Sequence, residues 1–276
     1  HYTYKKADAL VNQLCDALQN LGIGNGDKVA FLPVHPLTPL LFFALFRLGS
    51  IACPLNTYYP LTALPAILDK MGARLLIAPL SFDHKLPPIK QDKTHLDSLL
   101  CVTQKGSHEG CPFLQKNALA TFLATSGTTN EPKIAAHSLG NHYYSALGLH
   151  ASLYMEAESR YLLSLPLYHV AGIGIMWRTF LKGATLIIQE ADCPLHEQLS
   201  SWGITHLSLV ETQLIELLNT TPDPSKLCSH LKAILLGGSS LQKKVIDQAW
   251  QWGLPVMPSY GSTEMSSTIT LCQERG

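Results

Sequence analysis

The chain has 276 residues, 46% hydrophobic and only 14% charged, with Lys+Arg and Asp+Glu balanced at 20 each. This composition describes a folded globular protein with a large core and more than one subdomain, and it excludes disorder. The zero net charge leaves no global field for nucleic acid or for an acidic membrane surface.

Helical spacing of Ala7, Leu10, Val11, Leu14, Leu18 and Leu21 predicts a helix within His1–Gly22, ended by the glycine cluster Gly22–Gly26. Strand Lys28–Pro33, a buried helix Pro39–Leu48, strand Ile51–Leu55, helix Pro60–Met71 and strand Arg74–Ala78 follow. Polar, Pro-containing Pro79–Gln115 reads as a surface excursion, with Leu99–Val102 its one strand. Leu119–Ala124 is a strand. Beyond Lys133 come helix Leu139–Tyr154, strand Tyr161–Leu165, helix Val170–Leu181, strand Ala184–Gln189 and helix Pro194–Trp202. Strand Ile204–Leu209, helix Glu211–Asn219, strand Lys232–Leu236, helix Leu241–Trp252 and strands Pro255–Met257 and Thr268–Cys272 complete the pattern. The alternation predicts layered α/β subdomains with mostly parallel sheets, divided at 118/119 into 1–118 and 119–276.

Seven cysteines are scattered with no C-x-x-C pair, which points to reduced thiols and a cytoplasmic protein rather than disulfides or a zinc site. The apolar run Leu37–Leu55 is broken by Arg47, Gly49 and two prolines, so stable membrane insertion is not expected. His1 opens the chain without a basic-then-apolar leader and without an initiator Met, which suggests a fragment or a processed chain.

Ligands of open α/β sheets sit at the carboxyl ends of the strands, and four stretches fall there. Thr125-Ser126-Gly127-Thr128-Thr129-Asn130-Glu131-Pro132-Lys133 places hydroxyls around a glycine and closes with a lysine, a composition able to wrap phosphate. A polar turn is the plainer reading, and the spacing does not match the P-loop G-x-x-x-x-G-K-[ST], which disfavours a P-loop NTPase. Gly237-Gly238-Ser239-Ser240 allows close backbone approach, with Ser239 or Ser240 able to cap the next helix and leave N–H groups for an anion, or is an ordinary turn. Ser259-Tyr260-Gly261-Ser262-Thr263-Glu264 offers a ring to stack on a base, a hydroxyl for phosphate and a carboxylate for Mg²⁺, or is a solvated loop.

Pro166-Leu167-Tyr168-His169 and the helix after it are more informative. Ala171, Gly174 and Arg178 lie three and four apart and share one face. Arg178 in so apolar a run requires an anion, either an Asp or Glu of this chain or a substrate carboxylate gripped in bidentate fashion. His169 is either a loop histidine or a side chain that closes over an acyl group.

Together these motifs resemble the adenylate-forming superfamily, which contains acyl-CoA synthetases, luciferases and peptide-synthetase adenylation domains. Its phosphate loop [ST]-[ST]-G-[ST]-T-G-x-P-K and its Y-G-x-T-E signature are matched in order by Thr125–Lys133 and Tyr260–Glu264, with Asn130 where the second glycine usually stands. The resemblance spans 1–276 and is densest from Phe122 to Thr270. Gly140–Ala146, His169–Arg178 and Glu264–Thr268 look most like o-succinylbenzoate–CoA ligases of menaquinone biosynthesis.

The resemblance implies the large N-terminal domain of an adenylate-forming enzyme without its C-terminal lid, and hence a chain that turns over poorly by itself. It implies a magnesium- and ATP-dependent ligase that activates a small carboxylic acid as an acyl-adenylate and passes it to coenzyme A. In that reading Thr125, Ser126, Gly127, Thr128, Thr129 and Lys133 hold the β- and γ-phosphates. Gly238, Ser239, Ser240, Tyr260 and Gly261 form the adenine slot, Thr263 contacts the α-phosphate, and Glu264 binds Mg²⁺. His169, Gly174, Arg178 and Ser267 line the acyl pocket, with His169, Thr263 and Glu264 serving the chemistry. Another aryl or fatty acid, or a non-catalytic adenylate-binding fragment, remains the alternative, and a homo-oligomeric state is left open.

Overall fold

The computed structural model describes residues 1–101, 115–125, 133–190, 192–221, 227 and 229–272. They form two compact units, 1–140 and 141–276. Strand Leu119–Thr125 therefore belongs to the first unit, whereas the expected boundary at 118/119 placed it in the second.

The first unit opens with α1 (Tyr4–Asn20), whose start is capped by the Thr3 hydroxyl accepting from the Lys6 amide at 3.3 Å. Its Val11, Leu14, Cys15 and Leu18 face inward at the spacing of one helix stripe. β1 (Lys28–Phe31), β2 (Ile51–Pro54), β3 (Leu75–Ile77), β4 (Asp92–Thr94), β5 (Leu119–Thr125) and β6 (Lys133–Ser138) make a six-stranded sheet ordered β4-β3-β1-β2-β5-β6. All pairs are parallel except β5 with β6. Helices α2 (Thr38–Arg47) and α3 (Leu64–Met71) supply the crossovers, and Gly72 ends α3 in a left-handed conformation. Ala30, Ile51, Leu68 and Leu76 lie at the centre of this core.

Two sequence expectations fail in this unit. Val102 lies outside the described residues, and the described part of the expected strand Leu99–Val102 is not extended, since Leu96–Leu100 is a short helix, α4, that buries Leu96 and Leu99 three residues apart. The strand is instead polar Asp92–Thr94, an edge strand whose residues are not buried and so show no apolar alternation. Lys133–Ser138, for which no element is expected from the sequence, is the antiparallel partner of β5.

α5 (Leu139–His150) begins at the division and leads into the second unit. There β7 (Arg160–Leu163), β8 (Thr185–Ile188), β9 (His206–Leu209), β10 (Ala233–Leu236), β11 (Val256–Ser262) and β12 (Ser267–Leu271) are ordered β12-β11-β10-β9-β7-β8. Only β11 with β12 is antiparallel. The connecting helices are α6 (Val170–Lys182), α7 (Leu195–Ser201), α8 (Glu211–Thr220) and α9 (Lys243–Gln251). All four residues of β9 and of β10 are buried, as in a parallel strand covered on both faces. The register pairs Leu236 of β10 with both Leu209 and Pro258, so β9 and β10 end level while β11 runs on past them to Ser262. Among the described residues no helix is long and apolar enough to cross a membrane.

Candidate functional site

Arg178 is the largest fully buried side chain among the described residues, with 0% exposure. It stands on α6, and its guanidinium carbon lies 5.5 Å from the centre of the Tyr161 ring on β7. Nη2 donates to the Tyr161 hydroxyl at 3.4 Å. That leaves the phenol hydrogen for Ser208 Oγ on β9, 2.8 Å away. Nε and Nη1 have no hydrogen-bond partner, and no carboxylate among the described residues pairs with the group. The internal Asp or Glu allowed by the sequence is therefore not found among the described residues. Burying such a charge uncompensated costs several kcal/mol.

The neighbouring titratable groups add no negative charge. His150 Nε2 donates to the Arg178 carbonyl at 2.9 Å, and burial pushes its imidazole below the ordinary value of 6.5. His206 donates from Nε2 to the Leu153 carbonyl at 2.7 Å and accepts at Nδ1 from the Thr205 hydroxyl at 2.7 Å. Burial lowers His206 as well, and the nearby Arg178 charge acts in the same direction on both rings.

Gly174 and Ser267 complete this cluster. A Cβ on Gly174 would stand 2.9 Å from Arg178 Nη1 and 3.4 Å from Ser267 Oγ. The absence of a side chain at 174 thus makes room for the guanidinium, one helical turn back along α6. The structure brings Gly174, Arg178 and Ser267 together. His169 stands apart from them. It occupies the N-cap position of α6, exposed, with its ring edge-on to Tyr168 at 4.7 Å. Nine residues at about 1.5 Å each separate it along the axis from Arg178. Desolvation holds its imidazole below the ordinary value.

Just past the end of β10, Gly237 lies beside Ser259 of β11, the neighbour of Tyr260. Leu236 pairs with Pro258, Ser259 Oγ donates to the Leu236 carbonyl at 2.9 Å, and Gly237 could carry a Cβ only 2.7 Å from that hydroxyl. Gly238 adopts φ +98°, open to glycine and strained for other residues. Ser239 and Ser240 are exposed, and Tyr260 is 68% exposed with its ring available. The expected cap is corrected: neither serine caps α9, which starts at Lys243 with Gln242 before it. The Gln242 amide instead donates to the Glu211 carboxylate at 2.5 Å, so this helix end already holds an internal anion.

Thr263–Ser266 is the turn between β11 and β12, tied by the Ser266 amide donating to the Thr263 carbonyl at 3.0 Å. Gly261 lies so close to the returning strand that a Cβ would meet the Ser267 carbonyl at 2.1 Å. Glu264 is exposed and has no ion-pair partner among the described residues. No group of three or more His, Cys, Asp or Glu there could hold a metal, so Glu264 is a single available carboxylate.

In the first unit, Thr125 and Lys133 are direct cross-strand partners at the open end of the β5–β6 ladder. Ser126, Gly127, Thr128, Thr129 and Asn130 lie outside the described residues. Sequence reasoning missed Tyr161 and Ser208 beneath Arg178, and Glu211 behind α9. One signal was present for Tyr161: a phenol in an otherwise aliphatic strand needs a polar partner when buried.

Comparison with known proteins places this geometry. Residues 1–275 match the family described as AMP-binding enzyme. The 2-succinylbenzoate–CoA ligase of Escherichia coli K12 is 32% identical over 267 residues, covering 96% of this chain and 55% of that protein. That of Salmonella typhimurium is 32% identical over 249 residues, covering 90% of this chain and 51% of that one. The chain thus spans about half the length of these curated relatives. The o-succinylbenzoate coenzyme A synthetase (MenE) of Bacillus subtilis in complex with AMP superposes with TM-score 0.88 at 27% identity, over 98% of this chain and 70% of that one. With the acyl-adenylate intermediate OSB-AMP the same synthetase gives 0.85 at 26% identity, over 98% and 71%. The match over nearly the whole chain, on an α/β frame with glycine-rich turns at its strand ends, shows that this chain belongs to the AMP-binding enzyme family.

Proposed function

We propose that this chain is the nucleotide- and acid-binding part of an AMP-forming acid–CoA ligase whose acid is a dicarboxylate, o-succinylbenzoate. One observation carries the reading: Arg178 is fully buried, with Nε and Nη1 unsatisfied and no carboxylate among the described residues to pair with it. A ligand carboxylate supplies the missing charge and accepts from one edge of the guanidinium, where Nη2 and one of the two unsatisfied nitrogens form the fork that carboxylates favour. The relatives named as 2-succinylbenzoate–CoA ligases support the choice of acid. In this reading the second carboxylate of the acid, not the one being activated, rests on Arg178, with Gly174 and Ser267 as the pocket floor and His169 at its mouth.

ATP, Mg²⁺ and coenzyme A are the partners that this activity needs. Glu264 fits the metal: Mg²⁺ is held by one or two carboxylates together with substrate phosphates, and Glu264 is exposed and uncommitted. When bound, the ion neutralises phosphate charge. Thr263 serves the α-phosphate, and Thr125 and Lys133 hold the outer phosphates together with Ser126, Gly127, Thr128 and Thr129. Tyr260 stacks on adenine beside the Gly238–Ser240 backbone. Activation turns a poor acyl donor into one with a stabilised phosphate leaving group, a task of alignment and charge neutralisation. The seven cysteines are scattered without a C-x-x-C pair, which supports a cytoplasmic setting.

Isothermal titration of the chain with two non-hydrolysable acyl-adenylate analogues tests this reading. One keeps a free second carboxylate and the other carries its methyl ester. A preference of about thirtyfold or more for the free acid is expected, the effect of a buried charge pair. Equal affinities would remove the dicarboxylate and leave a ligase for another aryl or fatty acid. No binding of either would favour a fragment without adenylate affinity.

A further inference from the structure

We propose that His142 and Ser145, on α5, are positioning residues that fix the Thr263–Ser267 turn and thereby set where Glu264 and Ser267 stand. The inference rests on the reading above in taking that turn as part of the adenylating site. Ser266 and Ser267 are consecutive non-glycine residues with φ of 57° and 104°. Such backbone survives only where the surroundings over-determine it. Both residues are buried, at 4% and 7% exposure.

Two restraints come from α5, far away in sequence. Ser145 Oγ donates to the Ser266 carbonyl at 2.6 Å, and the Ser266 hydroxyl lies 3.1 Å from His142 Nδ1. One residue of the turn is thus held at its carbonyl and at its side chain at once. On the other side, the missing side chain of Gly261 lets the Ser267 carbonyl take its place, where a Cβ would stand 2.1 Å away.

The same imidazole stacks on Trp177, ring centres 6.0 Å apart and planes 13° from parallel. Trp177 precedes Arg178 on α6, and Ser266 is the turn residue just before Ser267, the first of β12. His142 therefore touches both walls of the Gly174–Arg178–Ser267 cluster without being part of it. A shift of the α6 wall reaches the turn carrying Glu264 through this ring.

Three variants separate positioning from mere packing. His142→Phe keeps a stacking ring and loses the bond to Ser266. His142→Asn puts an amide where Nδ1 stands and loses the ring. Ser145→Ala removes the second restraint. In each, amide hydrogen exchange at residues 266–268 is followed without ligand, and the affinity for the free-acid acyl-adenylate analogue is measured. His142→Phe and Ser145→Ala should each speed exchange there and weaken the analogue by about fivefold, the effect of one lost hydrogen bond. His142→Asn should restore most of both. Wild-type exchange in His142→Phe, or equal damage in His142→Asn, overturns the proposal. Should the wild-type chain not bind the analogue, the proposed function fails, while exchange at the turn still decides this inference.

Discussion

The Arg178 guanidinium carbon lies over Tyr161, 5.5 Å from the ring centre, and the group reaches the phenol oxygen with one nitrogen while two others find no partner. The pair makes a buried, half-satisfied cation whose best remaining partner is an anion from outside the chain. Stability and binding should therefore move in opposite directions on substitution. Arg178→Met keeps the volume and removes the charge. It is expected to raise unfolding free energy in urea by about 1 kcal/mol or more and to abolish the preference for the free-acid analogue. A loss of stability in this variant would mean that the guanidinium is satisfied by the protein itself.

The two glycines of α6 should behave differently although both look crowded. A Cβ on Gly174 meets Arg178 Nη1, the far end of a flexible side chain. A Cβ on Gly172 meets the Pro166 carbonyl at 2.2 Å and the Leu165 carbonyl at 2.6 Å, which are backbone. Gly174→Ala should leave the melting temperature within a few degrees, since alanine adds about 1 kcal/mol of helix propensity, but displace the guanidinium and weaken the free-acid analogue about tenfold or more. Gly172→Ala should cost about 1–3 kcal/mol of stability by forcing the Leu165–Pro166 turn off α6. Thermal melts of both, alongside titration of the first, check the contrast.

Acid should weaken the fold before any carboxylate is protonated. His150 and His206 titrate below their ordinary value of 6.5 in the folded chain because burial opposes their charge. The unfolded chain then binds more protons, so their contribution is complete above 6.5 and is lost as pH falls from there toward the folded values. The slope is at most about 1.4 kcal/mol per pH unit for each ring. Asp69 and Asp83 are held below 3.8 by their Gln91, Lys90 and Lys93 partners, so their contribution is lost only under stronger acid. Urea midpoints at pH 7.5 and 5.5 should fall with acid in the wild type. His150→Gln, which retains a donor near the Arg178 carbonyl, should flatten the change. An unchanged midpoint in the wild type would contradict neutral, buried rings.

Much of the site was legible before folding was considered. The three- and four-residue spacing of Ala171, Gly174 and Arg178 put them on one helix face, and Gly174 does abut Arg178. Of the hydroxyl-rich run ending at Lys133, the described ends Thr125 and Lys133 are cross-strand partners on β5 and β6. Reading failed where local pattern and pairing part company. Asp92–Thr94 is a strand only because β3 offers it an edge, and Ser239 and Ser240 lose the cap because Glu211, on another helix, already holds Gln242.

By itself, the sequence determined the α/β alternation, the order of the motifs and the face of α6 on which a cation sits, because periodicity and turn chemistry act within a few residues. Only the tertiary structure decided that the cation lacks a carboxylate among the described residues. It also decided that Tyr161 and Ser267 flank the guanidinium, and that Ser145 and His142 grip a turn more than a hundred positions away. Those facts depend on strand order and on which helix covers which strand. Chain topology and burial set both, and no spacing in the sequence records them.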